Sequence, residues 1–218
     1  MQVNPPADAD AELLKRLSAI NVGAGMTFDP ALLGADAAAH WRQMLQGLRT
    51  TLSADSAAYA QKLGQWRYYG RPIGDFGTAY TYRAMVALVG LGANTVDVAI
   101  YPKTAVDENG AALHGDKTYT LHFDSLPPTL EGGFWSVTAY GEDDFLIDNP
   151  INRYCINDRS AFEQNGDGTL DIVLSKNAPE NTANWLPVSD GAFHLFMRIY
   201  VPDMTALDTW QPPVIREQ

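Results

Sequence analysis

The spacing of apolar residues changes once along this chain, and that change constrains the fold more than any other feature. Up to Leu91 apolar residues recur every three or four positions; after Asn94 they alternate with polar ones almost to the end. The first spacing lays one stripe of a helix against a core, and the second lays one face of a strand there. Helices come first and strands second, with no strand-helix-strand alternation. That order predicts an antiparallel β-sandwich carrying an N-terminal helical region.

In the helical part, Asp8 or Asp10 can cap a short helix running to Ile20, with Leu13, Leu14, Leu17 and Ile20 on one face. Asp29-Pro30 places a capping aspartate before a first-turn proline and starts a second helical pattern through Trp41, Met44, Leu45 and Leu48. Ser53 or Asp55 is expected to cap a further stretch containing Tyr59 and Leu63. Gly64 to Thr78 holds four glycines with Trp66, Tyr68, Tyr69 and Phe76 in no clear period, and reads as an irregular aromatic connector. Ala79 to Leu91 is helical again and stops at Gly92.

In the strand part, Thr95 to Tyr101 reads as a strand and Asp107-Glu108-Asn109-Gly110 as a hairpin turn. Tyr119, Leu121 and Phe123 alternate up to Pro127-Pro128. The stretch Phe134 to Tyr140 reads as a strand punctuated by Gly132-Gly133 and Gly141. Asn165-Gly166-Asp167-Gly168 is a second turn, leading into Leu170, Ile172 and Leu174. On the last long strand Phe193, Leu195, Met197 and Ile199 alternate with His194, Phe196, Arg198 and Tyr200. Trp210-Gln211-Pro212-Pro213 is expected to close the chain as an extended tail. The expected division is 1–78, helical lead-in and connector, and 79–218, β-sandwich with one leading helix.

Composition excludes several function classes. With 218 residues, 46% of them hydrophobic, the chain can bury an ample core, yet its longest apolar stretch, near Ala84 to Leu91, is about half of a membrane span. A formal charge of −11 without a basic cluster argues against nucleic acid and anionic membranes as partners. Cys155 stands alone, so neither an intrachain disulfide nor a cysteine zinc site is expected. The first residues, Met1-Gln2-Val3-Asn4-Pro5-Pro6, lack the basic and apolar regions of a secretory leader. The expectation is a cytoplasmic location as the chain stands, or a periplasmic or envelope one for a mature fragment.

Six blocks together resemble the DUF1214 domain: Tyr82-Arg83-Ala84, Gly90-Leu91-Gly92-Ala93-Asn94, Phe134-Trp135-Ser136-Val137-Thr138-Ala139-Tyr140, Asp148-Asn149-Pro150-Ile151-Asn152-Arg153-Tyr154, Asn184-Trp185-Leu186-Pro187 and Trp210-Gln211-Pro212-Pro213. The resemblance covers roughly Tyr80 to Val214. It implies a jelly-roll-like β-sandwich, found as the C-terminal part of bacterial DUF1254/DUF1214 proteins, with the upstream DUF1254 domain expected to be missing here. It carries no established catalytic residue, and jelly rolls host glycan-active enzymes, lectins and capsid proteins alike.

The densest polar and aromatic cluster runs from Phe134 to Tyr154. Asp144 and Asp148 are candidate acid-base carboxylates, with Asp143 and Arg153 nearby; the plainer reading is a solvated turn and a structural Arg–Asp bond. Trp135, Tyr140, Asn149, Arg153, Tyr154, Asn184 and Trp185 are the candidate ligand-binding residues, because aromatics beside carboxylates grip sugar rings. For the Asn184-Trp185 block the favoured reading is structural, Trp185 plugging the end of a sandwich while Asn184 ties down a loop. Arg83 and Arg198 are ion-pair candidates, expected to pin a helix and a strand to acidic loops. His114 and His122 could face each other across one hairpin, but no third ligand follows, and no cofactor or metal is expected. Nothing here decides whether the chain is an enzyme. The expected partner is a small organic or glycan ligand, any catalysis being metal-independent and acid-base. The alternative is a non-catalytic interaction domain docking on a missing domain or on another copy of itself as a homo-oligomer.

Overall fold

The computed structural model describes residues 3–218, apart from the side chains of Asp55 and Ala57. Met1 and Gln2 of the lead-in, and the side chain of Asp55 as a cap, therefore lie outside the described residues. The elements in chain order are α1 (Ala11–Ser18), α2 (Ala35–Tyr59), β1 (Ala60–Leu63), β2 (Trp66–Tyr69), α3 (Tyr80–Val89), β3 (Ala99–Ile100), β4 (Lys103–Thr104), β5 (Tyr119–Phe123), β6 (Thr129–Gly141), β7 (Cys155–Asn157), β8 (Leu170–Ser175), β9 (Trp185–Pro187), β10 (Phe193–Pro202), α4 (Met204–Leu207) and β11 (Val214–Glu217). The chain is mainly β, with two sheets and an N-terminal helical region. By internal contacts it gathers into two compact units, Met1–Tyr59 with Arg71–Ala93, and Ala60–Gly70 with Asn94–Gln218.

The first unit is helical. The Asp29 side chain accepts from Ala31 N at 2.9 Å and starts a short 3-10 turn, Pro30–Leu33, ahead of α2. α2 runs unbroken for 25 residues, so the expected new start at Ser53 does not occur. Its inner contact with α3 is aromatic: Tyr59 stacks on Tyr82 at 4.5 Å, and Phe76 meets the same ring edge-on. Arg83 reaches Asp10 at 3.2 Å, pinning α3 to the turn before α1 as its charge predicts.

The second unit holds both sheets. The seven-stranded sheet runs β1-β2-β4-β10-β6-β7, with β3 also paired to β10; the four-stranded sheet runs β11-β5-β8-β9. All pairs are antiparallel except β8 with β9, which is parallel. Alternation on β5 and β8 buries Tyr119, Leu121, Phe123, Leu170, Ile172 and Leu174. On β10, Phe193, Leu195, Met197 and Ile199 are buried in the same alternating way. Rings from the two sheets meet: Phe123 lies 5.6 Å from Trp135, and Tyr119 lies 5.9 Å from Phe193.

Four local expectations are corrected. The stretch expected to be an irregular connector contains β2, which pairs across Gly64, whose φ is +60°, with β1, residues expected to continue the helical pattern through Leu63. Of the strand expected over Thr95 to Tyr101, only Ala99–Ile100 pairs, because Thr95 turns back to bond Val98 and Ala99. Gly132-Gly133 does not punctuate β6 but lies inside it: a Cβ on Gly133 would sit 2.6 Å from the Tyr200 carbonyl, so glycine there permits close approach of two backbones. The extended tail ends as β11, which pairs with β5.

Candidate functional site

The β6–β10 register fixes which side chains share the face turned away from the other sheet. His194 stands opposite Tyr140, Phe196 opposite Thr138, and Arg198 opposite Ser136, while Lys103 on β4 flanks Phe196 from its other side. Because side chains on paired strands alternate in step, these residues form one continuous patch. Tyr140 and His194 lie nearly parallel at 5.7 Å, and the Phe196 ring stands edge-on to both at 5.6 and 5.8 Å.

Two cations border the rings. Arg198 donates to Tyr140 Oη at 2.8 Å and Thr138 Oγ1 at 3.1 Å, with its guanidinium 5.6 Å from the Phe196 centroid. Lys103 Nζ lies 5.0 Å from the same centroid. The expectation that Arg198 would pin its strand to an acidic loop is corrected: its partners are hydroxyls, and among the described residues no carboxylate pairs with it.

A turn brings one carboxylate over the patch. Asp144 N bonds Gly141 O, Gly141 N bonds Phe145 O, and Asp144 takes φ +62°, a conformation that aspartate tolerates better than most residues. Asp144 is 73% exposed, and its Oδ1 lies 3.3 Å from Lys103 Nζ and 3.1 Å from His194 Nε2. His194 is only 7% exposed, and its Nε2 is buried without a hydrogen bond, the approach to Asp144 being close but misaligned. Burial, reinforced by the Lys103 ammonium and opposed by Asp144, holds the His194 imidazole below its usual pKa range.

Of the candidate residues read from sequence, Tyr140 and Asp144 belong to this patch. Trp135 and Trp185 are core side chains, 3% and 2% exposed; Trp185 Nε1 donates to Ser175 O at 2.9 Å. Asn149 closes its own loop, bonding Ile147 O, Arg153 O and Arg153 N. Arg153 donates to the carbonyls of Thr182, Ala183 and Trp185 at 2.6, 3.1 and 2.8 Å. Asn184 bonds Glu163 N, Glu163 O and Asp171 O, beside a shallow cleft of about 240 Å³. Tyr154 reaches only Asn152 at 3.4 Å, and Asp148 is exposed. Asn149, Arg153 and Asn184 thus hold backbone together. Lys103, His194, Phe196 and Arg198 were not expected at a site, although the alternation of the last strand already set His194, Phe196 and Arg198 on one face.

His114 and His122, which could have faced each other across one hairpin, have other partners. His114 lies against Asp116, while His122 Nδ1 is 2.6 Å from Asp171 and its Nε2 is 3.2 Å from Asp124. Among the described residues no group of three His, Cys, Asp or Glu is placed to hold a metal ion, and no helix is long and apolar enough to cross a membrane.

Residues 98–204 match the family model of DUF1214, a protein family of unknown function. The match leaves out the blocks at Tyr82, Gly90 and Trp210. No curated protein matches the chain. Among solved structures, the VPA0106 protein of Vibrio parahaemolyticus is similar at 25% identity and a TM-score of 0.69, over 97% of this chain and 51% of that one. An uncharacterised protein from Burkholderia cenocepacia aligns at 16% identity and a TM-score of 0.37, over 95% of this chain and 48% of that one. The chain spans about half the length of these structures.

Proposed function

We propose that this chain, whose DUF1214 region has no known function, is a small-molecule-binding domain with its binding face on β4, β6 and β10. In this reading the two sheets are the layers of a jelly-roll-like β-sandwich, a view supported by the meeting of Phe123 with Trp135 and of Tyr119 with Phe193. One observation carries the functional part: a buried His194 Nε2 with no hydrogen bond, amid rings and cations. Leaving such an atom unsatisfied costs about 1–3 kcal/mol, so a purely structural face would replace it with an apolar group. The rings supply stacking surface and Tyr140, His194 and Arg198 supply polar contacts, a combination suited to a small organic molecule or a sugar. Any catalysis would be metal-independent, with His194 as the acid-base group of the face.

A thermal-shift screen of sugars and small carboxylic acids tests this. At least one compound should raise the Tm of the wild type, and the shift should vanish in Phe196→Ala and His194→Ala. A shift equal in wild type and both variants would place binding elsewhere.

A second reading is favoured by α2, where Met44, Leu45 and Leu48 are exposed. A helix stripe of this kind can dock a further domain, such as DUF1254, or a second copy. Light scattering showing a dimer that Leu45→Glu dissolves would favour it; a monomer unaffected by that change would count against a second copy.

A further inference from the structure

We infer that the patch recognises a carboxylate, and that Asp144 occupies the carboxylate's place until a ligand displaces it; this rests on the ligand-binding reading above. Three observations converge. Lys103 Nζ and His194 Nε2 both approach a single oxygen, Asp144 Oδ1, at 3.3 and 3.1 Å. Both donors are carried by paired strands, whereas the acceptor comes from a turn and is 73% exposed. A pair with so exposed a carboxylate is weak, because water competes for it.

The His194 imidazole, with its proton on Nε2, can donate a straight hydrogen bond to a carboxylate placed slightly differently from that of Asp144. The misaligned approach of Asp144 leaves that bond unmade. Arg198 adds a guanidinium held in place by two hydroxyls. In a chain with 26 acidic residues and 15 basic ones, a guanidinium without a carboxylate partner does not reflect a shortage of carboxylates. Beside these donors the rings of Tyr140 and Phe196 offer a surface for an apolar or aromatic body. The ligand class is a small monocarboxylic acid with a planar or apolar body. It joins Lys103 and His194 through its carboxylate and lies along Phe196. Displaced, Asp144 turns to solvent, where exposed carboxylates are at home.

Benzoate and its neutral isostere benzamide test this on the full, isotope-labelled chain, with inorganic phosphate as a second anion. The readouts are the His194 ring resonances and the backbone amides of Lys103, Tyr140 and Arg198. Benzoate should move these signals and bind about tenfold more tightly than benzamide, the difference one charge-assisted bond makes. Asp144→Asn removes the competing carboxylate, so benzoate should bind about two- to fivefold more tightly, while Lys103→Met weakens it by at least as much. Circular dichroism melts of both variants separate binding effects from unfolding. Equal affinity for benzoate and benzamide at this face would overturn the carboxylate assignment and spare the ligand-binding reading. Phosphate alone binding, or Asp144→Asn binding benzoate no more tightly, would overturn it as well. Signals that no compound moves, sugars included, would sink both readings.

Discussion

His122 on β5 and His194 on β10 both project from paired strands, and their surroundings push them in opposite directions. His122 has carboxylates on both ring nitrogens, Asp171 at 2.6 Å and Asp124 at 3.2 Å, and Asp171 is itself bonded by Asn165 at 2.9 Å. Its hydrogen bond to the Asp171 carboxylate raises the His122 pKa, burial opposing. Asn184 ties the Asp171 backbone to Glu163, and Arg153 ties the same loop to three carbonyls. Each polar side chain in that loop-side set already has a partner. The set around His194 has a buried nitrogen without a bond and a guanidinium without a carboxylate, and its pKa moves down. Closed polar sets hold loops; open ones are where a ligand finds donors ready.

The contrast breaks most visibly at Arg153. Arg153→Met removes the donor that three carbonyls share, of which Thr182 O keeps the Trp185 amide, and should cost about 2 kcal/mol in urea unfolding, without changing ligand response. A loss under about 0.5 kcal/mol would show that the loop-side set is not structural.

A smaller effect separates the two histidines by pH. Because the folded state raises the His122 pKa, its contribution is complete below the unfolded value of about 6.5 and fades as pH climbs through the folded value. Asp171→Asn should abolish that alkaline loss, at most about 1 kcal/mol for so accessible a pair. Unfolding at pH 5.5 and 8.5 measures it, and identical pH slopes in wild type and variant would refute the assignment.

The smallest change is expected at His194. Its folded pKa is depressed, so its neutral form suits the fold above the unfolded value, and stability is lost as pH falls through the folded one. His194→Gln should shift stability by only about 0.5 kcal/mol at pH 8, since no hydrogen bond is broken, and should flatten the acid side of the profile. A large loss at pH 8 would mean that the imidazole is a structural strut.

Much of this architecture was legible in the sequence. Alternation from Tyr119 to Phe123 and from Phe193 to Tyr200 named the strand faces correctly, and Asp29 is a cap as expected, although of a short 3-10 turn ahead of the second helix rather than of that helix itself. Glycine misled where it served contact rather than turning: Gly133 lets the backbone of Tyr200 approach, a role visible only once the partner strand is known. Trp135 reads as a ligand-binding candidate because tryptophan near aspartate looks the same whether it faces ligand or core, whereas the plugging role favoured for Trp185 agrees with its burial. Lys103 gave no signal at all. It reaches the patch through a pairing with Phe196 on a strand near the other end of the β region, and long-range register is not written locally.

The same register sets how the molecule forms. β6 and β10 make the longest ladder, yet β7, β8 and β9 all lie between them in the chain. The chain must surrender the entropy of closing that long loop before the first bond of the ladder rewards it. Such topologies fold slowly, and their exposed strand edges must wait for distant partners. The patch that Tyr140 and His194 build together thus exists only once two strands far apart in the chain have paired.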